Sequence, residues 1–198
     1  RYGPRPLLGI RSEIVWGQRK NRVVVASQFR HNGLHINWRP VMHALRFVAL
    51  ETPLVEALQA GGTDANGQAP ERHISDGDAN PCRHCLEEID AGETMLVFAH
   101  RPFPEHKPNA EIGPIFLHAR ACKRYAPGGD TLPVVLDSPD FIVRGYGHDD
   151  RIVYGTGKVT PTDEINCWAQ TLLARDEIAY LHVRSARNNC YQCRIERV

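Results

Sequence analysis

The stretch IAYLHVRSARNNCYQCRIER, residues 178–197, decides the fold. Its opening alternates: Ala179, Leu181 and Val183 fall on one side of an extended chain, and Tyr180, His182 and Arg184 on the other. After the turn-prone Asn188-Asn189, residues 191–197 make a second strand-like run. Short runs of the same kind recur upstream, at residues 43–50, 94–99, 113–118, 132–136, 141–146 and 151–154, with Pro, Gly and Asp between them. Within residues 141–146, Arg144 and Tyr146 share a face opposite Phe141 and Val143.

Two segments read as helix. Thr52-Pro53 offers an N-cap and a first-turn proline, Leu54, Val55 and Leu58 supply a short apolar face, and Gly61-Gly62 ends it. Further on, Thr160 caps, Pro161 fits the first turn, and Ile165, Trp168, Ala169, Leu172 and Leu173 recur at helical spacing. Cys167, beside that face, is expected to be buried. Residues 63–80 are rich in Gly, Asp and Asn and read as a long mobile loop. The order implies an α+β fold: a mainly antiparallel sheet of short strands with one long amphipathic helix and one short helix.

The 198 residues suffice for one domain with its own core, and the 42% apolar and 24% charged fractions are those of a globular chain. No apolar run approaches a membrane span, and no export signal is visible, so a cytoplasmic protein is expected. Residues 1–41 hold eight Lys/Arg against the single acid Glu13, and the remainder holds sixteen basic and twenty-two acidic residues. The basic charges are scattered and no aromatics are spaced for stacking, so nucleic-acid binding is not expected. The expected organisation is a basic, irregular N-terminal extension over 1–41, with a strand-like run at 21–27, and a single α+β domain over 42–198.

Six cysteines include two Cys-x-x-Cys pairs, Cys82–Cys85 and Cys190–Cys193. In a reducing compartment such pairs favour metal or redox chemistry over structural disulfides. Cys82-Arg-His-Cys85, followed by the turn Asp90-Ala91-Gly92 and a strand, has the form of a knuckle that presents two thiolates to one ion. A structural zinc site needs four ligands. The expected set is Cys82, Cys85, Cys190 and Cys193, with His118 and Cys122 as the alternative second half. Disulfides or buried free thiols are another reading of the same cysteines. A thiol–disulfide redox role is a third, if Pro81-Cys82 opens a helix whose N-terminus lowers the thiol pKa.

A second candidate site lies on the polar strand faces. If residues 141–146 and 178–185 adjoin, His182, Arg184, Arg144 and Tyr146 form a cationic cleft for a small anionic ligand, with His182 as acid or base. An ordinary solvated sheet face is the plainer alternative. No Walker loop, dinucleotide glycine fingerprint, H-E-x-x-H or G-x-S-x-G occurs, which removes the commonest enzyme classes.

Four segments together resemble an uncharacterised bacterial family, domain of unknown function 1203: residues 80–86 (NPCRHCL), 113–118 (GPIFLH), 143–146 (VRGY) and 182–197 (HVRSARNNCYQCRIER). The resemblance runs from about Met42 to Val198 and implies that the natural start is Met42. It also implies that Cys82 and Cys190 lie close together in the fold. It implies no activity. The expectation is therefore a soluble small-ligand- or protein-binding domain held by a Cys-based zinc site, the alternatives being an enzyme in the His/Arg cleft or a thiol redox protein.

Overall fold

A computed structural model of the chain describes residues 44–126 and 131–198. The basic first segment, with its strand-like run at 21–27, lies outside the described residues. In chain order the elements are β1 (Leu45–Val48), α1 (Thr52–Gln59), β2 (Glu71–Ile74), β3 (Thr94–His100), β4 (Gly113–His118), β5 (Asp140–Tyr146), β6 (Lys158–Pro161), α2 (Ile165–Leu173), β7 (Tyr180–Ser185) and β8 (Tyr191–Arg197). Five strands form one sheet in the order β1-β8-β7-β5-β6, and β2-β3-β4 form a second. Every strand pair in both sheets is antiparallel.

The alternation seen in the sequence sets the two faces of the larger sheet. Val143 and Val183 are paired neighbours on one face, and Phe141, Leu181, Cys193 and Ile195 join them in the main core. Helix α2 packs Ile165, Ala169, Leu172 and Leu173 into this core, all of them buried. Each of the three large ones, Ile165, Leu172 and Leu173, contributes about 1.5–3 kcal/mol of transfer free energy. On the opposite face Arg144 pairs with His182, and Tyr146 with Tyr180. A bulge between Val183 and Arg184 sets Arg184 opposite Tyr191.

Several expectations are corrected. The helix near the C-terminus is not long; it has nine residues. Thr160 does not cap it: pairing with β5 draws residues 158–161 into a strand, where Thr160 is buried opposite Phe141. The helix begins only after the 3-10 turn Thr162–Glu164. Cys167 is exposed, not buried, because it stands about 200° round the helix from Ile165. At the short helix the N-cap is Glu51, Thr52 lies inside the first turn, and Leu54 faces solvent.

Residues 132–136 form no strand. Pro133 withholds a donor, and Val135 and Leu136 are buried instead against the loop at Leu86. Residues 151–154 reduce to one bridge, Tyr146 to Ile152. The supposed loop at 63–80 contains β2. It is tied down by Asp64, whose carboxylate accepts from the Asn66, Gln68 and Ala99 amides at 2.9, 3.0 and 2.8 Å.

Candidate functional site

The first Cys-x-x-Cys pair sits on a turn. The Cys82 amide donates to the Glu87 carbonyl, and the Leu86 amide closes back on the Cys82 carbonyl, each at 2.9 Å. Leu86 takes a positive φ of 56° to complete the knuckle. The turn is pinned from two sides: the Arg83 amide donates to the Phe116 carbonyl of β4 at 3.1 Å, and the Leu50 amide to the Arg83 carbonyl at 2.9 Å. Beyond it, Gly92 (φ 87°) turns the chain into β3.

Strand β4 ends at His118, and the chain after it brings Cys122 back over the knuckle. Ligand atoms of Cys82, Cys85, His118 and Cys122 all lie within 4.8 Å of one another. Cys82 Sγ is 3.9 Å from Cys122 Sγ, and Cys85 Sγ is 3.6 Å from His118 Nδ1. Tetrahedral bonds of about 2.3 Å to sulfur and about 2.0–2.1 Å to nitrogen place such neighbours about 3.8 and 3.5 Å apart. This Cys3His group could therefore hold a metal ion.

The groups around the cluster are those that orient metal ligands. His118 directs its other nitrogen, Nε2, to Glu93 Oε2 at 3.3 Å, and Arg120 donates to Glu93 Oε1 at 2.7 Å. His84, inside the knuckle, stands with Nδ1 3.1 Å from Cys122 Sγ and Nε2 3.0 Å from Thr52 Oγ1. If His84 donates through Nδ1 to a Cys122 thiolate, its Nε2 accepts from the Thr52 hydroxyl, and both partners are satisfied. Glu93, His84 and Thr52 were missed in the sequence. The spacing of His84 between two cysteines was a usable signal, while Glu93 and Thr52 gave none.

Without a cation the thiols contend for one charge. Hydrogen bonds from Cys122 and Cys85 hold the Cys82 thiol well below its ordinary value, while Cys85 is pushed up and Cys122 is pushed up to about 11. A divalent ion removes that conflict, because every thiolate then faces positive charge. Beside the cluster opens a cavity of about 380 Å³, lined in part by Cys85, His118, Cys122, Arg120 and Lys123. No helix begins at Cys82, so the lowered thiol owes nothing to a helix terminus.

Cys190 and Cys193 do not belong to this group. Cys193 lies within β8 in the main core, where burial pushes its thiol up to about 12. Cys190 lies just before β8 with its sulfur 3.7 Å from the Asn188 carbonyl. Among the described residues, neither of the two belongs to any group of three or more metal-ligating side chains. Both sulfurs, with that of Cys82, nonetheless act on the Arg83 guanidinium. None of the six cysteines is in a disulfide.

The His/Arg face is not solvated. His182, Arg184 and Tyr146 are 0%, 3% and 0% exposed. Rings of Tyr146, Tyr191, Tyr180 and Phe103 surround His182 at 4.5, 5.0, 5.1 and 5.2 Å between centroids. Arg144 and Arg184 converge on one carboxylate: Arg144 Nη1 is 2.9 Å from Glu111 Oε1, and Arg184 Nη2 is 3.0 Å from Glu111 Oε2. Among the described residues, neither His182 nitrogen has a hydrogen-bond partner. Burial, reinforced by Arg184 and Arg194, holds this imidazole neutral, far below its ordinary pKa.

The model of the family described as Protein of unknown function (DUF1203) matches residues 79–197. The chain belongs to this family. The DUF1203 match takes in all four residues of the Cys3His group and the whole His/Arg face, and begins after β1, α1 and β2. It is shorter than the span from Met42 that the motifs suggested. No curated protein and no solved structure matches the chain. Among the described residues of this DUF1203 protein, no helix is long and apolar enough to cross a membrane.

Proposed function

We propose that residues 42–198 form a cytoplasmic small-ligand-binding domain stabilised by a structural zinc ion on Cys82, Cys85, His118 and Cys122. The observation that carries the metal half of this reading is the Cys3His group itself: four donors within 4.8 Å of one another, two of whose separations, 3.9 and 3.6 Å, suit a tetrahedron. Zinc is favoured over other ions because three thiolates and one imidazole form a soft, tetrahedral set. Four protein ligands close the coordination sphere, so the role is structural. The ion joins the knuckle, the end of β4 and the segment after it, which approach only in the folded chain.

Elemental analysis of untagged protein tests this. About one zinc per chain is expected. Protein that is folded but metal-free, with a reversible dithiol couple between Cys82 and Cys122, would establish the redox reading in its place.

The binding half is supported by the second cluster. A buried, neutral histidine beside two arginines that meet a single carboxylate is a costly arrangement for a sheet face with no ligand to serve. Acid–base chemistry at His182 is the alternative use of the same groups.

A further inference from the structure

Residues 101–112 connect β3 to β4 and lie across the polar face of the larger sheet. Two side chains of this loop make the cover. Phe103, 5% exposed, sets its ring 5.3 Å from Tyr146 and 5.2 Å from His182. Glu111 supplies the carboxylate shared by Arg144 and Arg184. The loop thus lays an apolar ring and an acid side by side on one surface.

These occupants serve the surface incompletely. A neutral imidazole carries one donor and one acceptor, and a phenyl ring satisfies neither. Leaving each without a partner costs about 1–3 kcal/mol. Arg184 donates through Nη1 to the Asn189 carbonyl at 3.1 Å and pairs through Nη2 with Glu111, while among the described residues its Nε has no partner. Positive charge dominates the surroundings: Arg184, Arg194 and Arg144 all act on His182, and Arg83 and Arg184 on His100. Unlike the arginine beneath it, Glu111 is exposed over a third of its side chain (34% against 4% for Arg184), although its Oε2, which faces Arg184, is buried.

The geometry points to a ligand site in its closed state, in which Phe103 and Glu111 stand where a small hydroxylated aromatic carboxylic acid binds once the loop lifts. The ligand's carboxylate takes the place of the Glu111 carboxylate between Arg144 and Arg184, and gains Arg184 Nε. Its ring replaces Phe103 against Tyr146, and its hydroxyl reaches His182. This deepens the small-ligand-binding reading of the domain and does not depend on the metal.

The test is an NMR titration of the full chain, labelled with 15N in histidine, using 4-hydroxybenzoate as the probe and inorganic phosphate as the comparison. The probe is expected to shift the His182 ring resonances saturably. A closed loop lowers apparent affinity by the fraction of time the site is open. E111Q, which keeps the volume and removes the charge, is therefore expected to bind about tenfold tighter. F103A with E111Q is expected to bind tighter still, and adding Arg184→Met to E111Q to abolish binding. If the double variant fails to fold, E111Q alone decides. No saturable His182 response from E111Q, at wild-type amide dispersion, overturns the inference, as does an equal response to phosphate. Metal content measured on the same samples separates this outcome from failure of the zinc reading.

Discussion

Cys122 Sγ lies 3.9 Å from Cys82 Sγ although forty residues separate them in the chain. Strands β3 and β4 intervene, so the contact exists only after the smaller sheet has formed. Metal bound there binds the folded chain and not the unfolded one, and its binding energy adds to stability.

Chelation should therefore lower the melting temperature. For a domain of this size each kcal/mol lost corresponds to about 2–4 °C. Cys82→Ser and Cys122→Ser should both lose zinc. Cys190→Ser should keep it, because Cys190 is not in the Cys3His group. Metal analysis and calorimetry on the three variants distinguish the two possible second halves. Loss of zinc from Cys190→Ser with retention in Cys122→Ser would reverse the assignment.

Glu93 holds His118 from behind, 3.3 Å from Nε2. Glu93→Gln should weaken zinc affinity about 10–100-fold while leaving the fold in place, the usual effect of losing such a partner. Competition with a chromophoric chelator measures it directly. Wild-type affinity in this variant would show that Glu93 serves only Arg120.

Much of this architecture was legible in the chain. Residues 113–118 and 191–197 coincide with β4 and β8, and β3, β5 and β7 differ from the expected runs only at their ends. That Arg144 shares a face with Tyr146, and His182 with Arg184, was legible from alternation; that the two strands are neighbours was only a condition, which the pairing of β5 with β7 meets. What was not legible depended on partners. Thr160 carries a helix-capping signal, yet β5 recruits it into a strand. Residues 71–74 are exposed and, Ile74 apart, polar, and only hydrogen bonding to β3 makes them β2. Spacing alone could not tell the two cysteine pairs apart, since a pair on a turn and a pair entering a strand read identically.

His100 is held down to about pH 4, first by burial and then by Arg83 and Arg184. An imidazole free in the unfolded chain titrates near 6.5, so between these values the unfolded state binds more protons. The stability associated with a neutral His100 is complete above about pH 6.5 and is lost as pH falls toward 4. Each such histidine adds a slope of up to about 1.4 kcal/mol per pH unit in that window. Urea unfolding from pH 7.5 to 4.5 should show this fall. His100→Gln should flatten it, and an unchanged slope would mean that His100 is protonated in the folded protein.

Leu172 is 1% exposed where α2 meets the main core. Leu172→Ala should destabilise by about 2–5 kcal/mol, read from the shift in urea midpoint at constant m-value. Zinc content should not change, because the metal cluster belongs to a different apolar group. A change below about 1 kcal/mol would mean that the helix packs loosely.

Neither of the two residues between the knuckle cysteines faces water. Arg83 is 2% exposed and donates through Nε to the Tyr191 carbonyl at 2.9 Å and through Nη1 to the Pro81 carbonyl. Tyr191 opens β8, the second strand of the larger sheet, and its ring lies against His182. One guanidinium therefore rivets the smaller sheet's knuckle to the larger sheet. Parting the two would strand the Tyr191 carbonyl and leave the guanidinium without its partner on the larger sheet. The domain should accordingly melt as one cooperative unit, with amides of β4 and β8 exchanging through a common global opening.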